Sequence, residues 1–427
     1  MREDWIFAIL TKDLDYIKTG VSNYLGEKEY YSTGSIKNDG YTSEGLYSFT
    51  NRPSRANRCG QLGDVLQARM KDTDKAILID EKFDQQLFST GFIQIRPNPE
   101  TLLSKYIYHY LRSILFLNAK DENCSGSTQS ALNDENAQNL LIPIAPIPIQ
   151  RAIVAKIEEL FSDLDKGIAD LNLAKDQLVI FRKAVLSSSF PKKEFIELSK
   201  LVPSLSQGWS PKCINQNSSD ETQWAVIKTS AIQAGKFVDF ENKILPESLE
   251  PREQHEIKTG DILITRAGPR VRVGICCLVR NTRPRLINCD KVYRIILDEN
   301  QVDGEYFEYV MNSPEILSKI EVMKSGTSDS GLNLTQKAFL KLRIPYVPLN
   351  EQRQIVCEIE SRLSVCDKVE QSITESLEKA KALHQSILKK AFEGKLLSAV
   401  EIERCKQEED YEPASVLLEK IKKEKKK

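Results

Sequence analysis

The chain has 427 residues, 60 basic and 61 acidic side chains, a net charge of −1 and 41% hydrophobic residues. That length holds two or three domains of ordinary size, and the balanced charge excludes a uniformly basic nucleic-acid coat while leaving local patches open. Nine cysteines without a CxxC pair argue against a disulfide scaffold or structural zinc and for a reducing compartment. Met1-Arg2-Glu3-Asp4 opens with acids, so no secretory leader is expected. The run 140–149 is broken by Pro143, Pro146 and Pro148 and is too short to span a membrane. A cytoplasmic protein is expected.

In chain order, residues 1–141 read as a mixed head, with short β-type runs such as 76–79 and a helical stretch over 106–117. Residues 142–190 hold a proline-rich junction and a long helix stopped by Pro191. A second mixed head follows at 191–343, with a β-type run at 261–264 and a helical stretch at 306–318. Residues 344–397 are a second junction and helix ended by Gly394, and 398–427 are a tail, its lysine-rich end expected to fray.

The second half repeats the first. IPIAPIPIQR (142–151) matches IPYVPLNEQR (344–353), with 12 identities in the 27 positions from 142 to 168. SGSTQSALN (125–133) matches SGTSDSGLN (325–333), and GDVLQAR (63–69) matches GDILITR (260–266). The offset drifts only from 197 to 202, so one unit of about 200 residues occurs twice.

Each long helix carries an apolar row at every seventh residue: Ile157, Leu164, Leu171, Leu178, Val185, and Ile359, Cys366, Ile373, Ala380, Ile387. The second row of the seam is read as Ile153, Leu160, Gly167, Ala174 and Phe181. In the other helix it is Ile355, Arg362, Val369, Ser376 and Leu383. Some 38 residues make a rod of about 57 Å, longer than a head is wide, so the two seams are expected to bury each other. The expected fold is α/β (α+β): two globular heads separated by a long antiparallel two-helix coiled coil, with pseudo-two-fold symmetry.

Catalytic motifs are missing. No GxxxxGK[ST], GxSxG or HExxH occurs, and Ala234-Gly235-Lys236 lacks the earlier glycine of a phosphate loop. His109, His255 and His384 are scattered and read as structural or surface histidines. A nuclease-like set of Asp239, Glu256 and Lys258 is too common a pattern to carry weight. Adjacent Cys276 and Cys277 read as strand packing onto opposite faces.

Charge placement is informative. Residues 266–294 hold eight basic side chains against Asp290, and residues 52–71 hold five against Asp64. Both runs abut the GD-V/I-L landmark, and arginine suits phosphate and guanine recognition. The DNA-facing candidates are Arg52, Arg55, Arg58, Arg69 and Lys71 in the first head, and Arg266, Arg270, Arg272, Arg283 and Arg285 in the second. The loop 266–274 reads as a hairpin tip turned by Gly268 and Pro269. Hydroxyls and amides of the SG[ST] segments add Ser127, Thr128, Lys324 and Thr327.

A doubled Pro-x-x-Pro, Gln-Arg, Ile-Val pattern followed by a heptad helix, the second ending at Ala391-Phe392-Glu393-Gly394, resembles the DNA-specificity subunits of type I restriction–modification systems. The segment 412–418 fits the family's usual ending. The resemblance implies that each head reads half of a bipartite gapped DNA site, and that the coiled coil sets the gap and docks two methyltransferase subunits. Restriction/translocase subunits would complete the complex. The chain itself would bind no cofactor; S-adenosylmethionine, ATP and Mg belong to the partner subunits. Pro143, Pro146, Gln150, Arg151, Pro345, Pro348, Gln352 and Arg353 match the junction motifs and are assigned by this resemblance to partner docking. The rival readings are a coiled-coil scaffold without DNA readout and a DNA-modifying enzyme with an unrecognised site.

Overall fold

A computed structural model describes residues 5–37, 40–126 and 130–425. Its contacts divide the chain into two units, the first built from residues up to 171 together with those from 375 onward, the second from 172–374. This differs from a cut at the junctions: the boundary passes through both long helices, and the C-terminal segment belongs to the first unit.

In the first unit β1 (Ile6–Ile9) and three strands of a four-stranded sheet precede the GD landmark. That sheet contains β2 (Lys28–Tyr31), β3 (Leu46–Tyr47), β4 (Ala56–Cys59) and, later in the chain, β7 (Leu87–Ser89), in the order β3-β2-β7-β4. An antiparallel sheet is formed by β5 (Val65–Ala68), β6 (Ala76–Leu78) and β8 (Phe92–Ile95), with β5 central. Alternation along β5 sends Val65 into the main core and Leu66 into a second, aromatic-rich core containing Phe83, Phe88 and Phe92. α1 (Ser104–Leu111) and α2 (Ile114–Glu122) follow, and β9 (Leu141–Ile144) returns to pair with β1, Ile6 opposite Ile144.

The second unit repeats this plan. β10 (Phe195–Glu197) pairs with β18 (Arg343–Pro345), Ile196 opposite Ile344. Its main sheet, in the order β11-β17-β14-β15, comprises β11 (Ser204–Gln207), β14 (Ile262–Thr265), β15 (Cys276–Leu278) and β17 (Val292–Ile296). A smaller sheet of β12 (Ala225–Ile227), β13 (Asn242–Ile244) and β16 (Leu286–Ile287) lies beside it. Cys276 packs with the helical-side core and Cys277 with the core behind the sheet, as their adjacency on a strand requires.

The single helical stretches expected over 106–117 and 306–318 are each two helices. α4 (Gly304–Met311) and α5 (Pro314–Met323) mirror α1 and α2. Ser113 and Ser313 break the run: each hydroxyl donates back to the preceding turn, to Tyr110 O and Val310 O, and accepts the amide of the next helix, Phe116 and Ile316. Pro314 stands in the first turn of α5, where its missing N–H costs nothing.

The long helices are α3 (Ile147–Ser189) and α6 (Leu349–Phe392). Gly394, at φ +74°, ends α6 with Lys395 N donating to Lys390 O. Within each unit the helical segments run antiparallel: Phe161 stacks on His384 in the first, and Arg182 pairs with Asp367 and Glu370 in the second. The expected rows of every seventh residue from Ile157 and Ile359 do face inward, those of α6 buried throughout. The second rows hold in part: Ile153 is buried and Leu160, Ala174, Ile355 and Ser376 are half-buried, as expected. Phe161, Ile168 and Arg182, and Leu363, Leu377 and His384, also face inward, while Gly167, Phe181, Arg362, Val369 and Leu383 are exposed.

The tail does not fray over its described length. α7 (Ala399–Lys406) and α8 (Ala414–Glu424) place Ile402, Leu417, Leu418 and Ile421 in the core of the first unit.

Candidate nucleic-acid interface

The GD landmark forms a turn. Gly63 and Gly260 take φ near +90°, at +87° and +92°, a region that glycine enters without a Cβ clash. The next residue locks the turn from inside: Asp64 accepts Gln61 N and Arg96 Nε, and Asp261 accepts Lys258 N and pairs with Arg294 Nε. The landmark therefore positions β5 and β14, and with them the arginine that follows each strand.

Each of those arginines begins a loop that meets the serine–glycine segment of its own unit. In the first unit Leu132 N donates to Arg69 O, Lys71 N to Ser130 O, and Ser125 and Ala131 exchange both backbone hydrogen bonds. In the second, Leu334 N donates to Arg266 O, Ser325 and Asn333 exchange their bonds, and Ala267–Gly268 pairs with Leu332–Asn333. Two sequence landmarks some 60 residues apart thus become one surface, in the same way twice. The loop 266–274 is broader than a ribbon tip, because 267–268 pair sideways and the turn begins at Pro269, whose carbonyl accepts Arg272 N.

The candidates fall into distinct settings. Arg55, Lys71, Arg270, Arg285 and Thr327 are exposed, and Arg52, Arg69, Arg266, Arg272 and Lys324 are half-buried. Ser127 and Thr128 lie outside the described residues. Arg58 and Arg283 are interior, at 1% and 7% exposure. Arg58 donates to Ile17 O, and burial, assisted by the neighbouring Arg69 charge, lowers its pKa to about 10. Arg283 donates to the carbonyls of Asp220, Gln223 and Pro284. Both brace loops and present no face to a ligand, which corrects their reading as surface charges.

Other arginines are held in place by internal bonds. Arg69 donates to Phe92 O and Leu132 O and pairs with Asp134, and Arg266 lies over the Tyr293 ring. Arg52 stacks on Phe49, its guanidinium carbon 4.1 Å from the ring centre, and donates to Ala56 O. Arg270 pairs with Asp329 and Glu321, which stabilise its charged form. Lys324 donates to Arg270 O and Glu321, so it supports the loop. Arg285, at φ +58°, donates to Thr222 O.

The junction residues divide similarly. Pro143, Pro146 and Pro345 are buried. Gln150 and Gln352, fully buried, hold corresponding backbone groups in the two units: Gln150 accepts Leu103 N and donates to Thr101 O and Ala145 O, while Gln352 accepts Asp303 N and donates to Gln301 O and Val347 O. Their role in this structure is internal. Arg151, exposed, pairs with Asp410 and Glu408 of the C-terminal segment; Pro348 is exposed, and exposed Arg353 lies 3.9 Å from Asp303.

One basic feature was signalled in the sequence only through Lys291 of the run 266–294. A groove of about 510 Å³ in the second unit is lined by Lys212, Lys228, Lys243 and Lys291. These are scattered along the chain, and only strand pairing gathers them. Among the described residues no group of three or more His, Cys, Asp or Glu side chains is placed to hold a metal ion. No helix among them is long and apolar enough to cross a membrane.

The type I restriction modification DNA specificity domain family matches this chain at residues 11–171 and again at 194–379, bracketing both loop pairs. The chain belongs to this family. Family relatives include the type I restriction enzyme EcoEI specificity subunit of Escherichia coli, 36% identical over 176 residues, a match spanning 41% of this chain and 30% of that protein's length. The EcoKI specificity subunit of E. coli strain K12 is 26% identical across 76% of this chain and 73% of its own. A solved chain from work on complex assembly and conformational transition of the type I R-M system superposes with a TM-score of 0.69 at 21% identity, covering 92% of this chain and 99% of that one. The HsdS subunit from Thermoanaerobacter tengcongensis gives 0.52 at 21% identity, covering 92% and 98%. These structural likenesses bear out the expected family fold.

Proposed function

We propose that the chain is the specificity subunit of a type I restriction–modification complex, each repeated domain contacting one half of a bipartite, gapped DNA site. The observation that carries this reading is the twice-built loop pair, 69–71 with 125–126 and 130–132, and 266–272 with 325–334, in a chain matched twice by the family. The contacting groups are drawn from the accessible candidates Arg55, Lys71, Arg270, Arg272, Arg285 and Thr327, with Arg52, Arg69, Arg266 and Lys324 shaping the loops behind them. Two methyltransferase subunits dock through the long helices and the exposed junction residues Pro348 and Arg353, with restriction/translocase subunits joining them. This chain performs no catalysis; S-adenosylmethionine, ATP and Mg act in the partners.

A genome-wide map of methylated adenine, with the gene present and deleted, tests the reading. Loss of a single gapped motif on deletion is expected. An unchanged map, with the partner methyltransferase expressed, would favour a protein scaffold without DNA readout. Methyl transfer or cleavage by the purified chain alone would favour an enzyme.

A further inference from the structure

Of the lysines lining the groove of the second unit, only Lys291 belongs to the basic run 266–294; Lys212, Lys228 and Lys243 lie outside every sequence landmark. Lys243 is in β13 opposite Val226 of β12, and Lys228 directly follows β12, its amide donating to Glu241 O. Lys212 comes from the loop that runs along Asn288 and Cys289 (Trp209 N donates to Asn288 O), and Lys291 from the turn just before β17. Four segments of the second unit thus bring four lysines to the lining of one concavity, together with the hydroxyl-bearing Ser210 and Thr229. Asp290 is the acid in the lining, and it is engaged by Ser210. Lys228 stands 3.8 Å from Glu241, while Lys212, Lys243 and Lys291 form no ion pair among the described residues.

Gathering four positive side chains against one lining acid costs free energy that a bound anion would offset. The groove is also continuous with the arginine loop: Arg266 N and Ala267 N both donate to Lys291 O. A basic track of this kind suits a polyanion with regularly spaced charges. Lysine, a mobile point charge, fits phosphate positioning, whereas base reading favours the planar fork of arginine.

We propose that this groove holds the phosphodiester backbone of duplex DNA and sets the register in which the arginine loop meets the bases. The proposal rests on the reading that the chain binds duplex DNA and adds a second, sequence-independent contact surface to it. Lys212, Lys243 and Lys291 are positioning residues: they fix where the duplex lies and do not choose its sequence.

The test uses the full chain and a mixed-sequence duplex of about 30 base pairs, with binding followed by fluorescence anisotropy over a range of salt concentrations. Each lysine that contacts a phosphate contributes about 0.9 to the slope of log affinity against log salt, so Lys212→Gln/Lys243→Gln/Lys291→Gln should flatten the slope by between 2 and 3. The corresponding triple arginine variant should retain the steep slope, which separates a charge effect from a folding defect. A flattened slope with glutamine and a preserved one with arginine supports the groove. An unchanged slope in the glutamine variant overturns it while leaving DNA binding by the chain intact. A parent chain with no salt-dependent binding would overturn the underlying reading as well, and capture of an acidic peptide in place of duplex would reassign the groove.

Discussion

Gln150 and Gln352 are 202 positions apart in the repeat, and each ties the start of a long helix to the start of a short one. A repeated polar residue in a motif reads equally well as a docking point or as an internal brace, and only burial separates the two. Replacing Gln352 with leucine would leave Asp303 N, Gln301 O and Val347 O without that partner. At about 1–3 kcal/mol for each buried polar group left unsatisfied, we expect Gln352→Leu to destabilise the second unit by at least roughly 2 kcal/mol, measured by urea unfolding. His109 gives a pH signature. Burial, with Arg112 adding to it, lowers its pKa to about 4. The unfolded chain binds that proton near pH 6.5, so the neutral histidine's contribution is complete above that pH and is lost as pH falls towards 4. Stability of the first unit should therefore decline across this window, and His109→Phe should flatten the decline. An equal slope in both proteins would show that other groups govern it.

The seam between the long helices was half legible. Rows of every seventh apolar residue from Ile157 and Ile359 are visible in sequence and face inward. The companion row of α3 was obscured because it includes Arg182, which reaches across to Glu370 of α6 at 2.9 Å. Apolar Phe181 and Val369 looked the better candidates but are exposed. A salt-bridged position can belong to a helix interface, and hydrophobicity alone cannot reveal it. The two rows can be compared directly: Ile373→Ala should cost about 2–3 kcal/mol, near the low end for deleting a buried aliphatic side chain, and Val369→Ala under about 1 kcal/mol. Comparable losses in thermal melts would reverse the assignment. The arginine runs show the converse problem. Local sequence charge located the loops, but Arg58 and Arg283 proved internal, and three of the four groove lysines, Lys212, Lys228 and Lys243, lie in no run.

At the level of the whole molecule, the duplication and the mixed fold were evident from offsets between repeats, whereas the destination of the C-terminal segment was not. A clue lies where the repeats diverge. Pro148, Ile149 and Ala152 correspond to Asn350, Glu351 and Gln354. In the first unit this stretch meets the tail: Cys405 Sγ donates to Pro148 O, Ile149 and Ile402 line one cavity, and Arg151 pairs with Asp410. The second junction is polar at those positions, and among the described residues no such segment covers it. Truncation after residue 397 should therefore lower the first unit's melting temperature and leave the second unit's unchanged, as domain-resolved hydrogen exchange would show. If the paired helices set the gap as proposed, seven residues inserted into each would add about 10 Å, and the recognised gap should lengthen by about three base pairs. An unchanged methylation motif would end the ruler idea.

The first unit draws its core from both ends of the chain: Ala8 and Ile95 pack in one cluster with Phe392, Leu417 and Ile421. Synthesis runs from the N-terminus, and domains fold as their residues leave the ribosome. The second unit can therefore close while the first still waits for residues beyond 375. The domain begun earliest is finished last, so a message cut short near its end would yield a chain whose second domain is sound and whose first exposes apolar surface to chaperones and proteases.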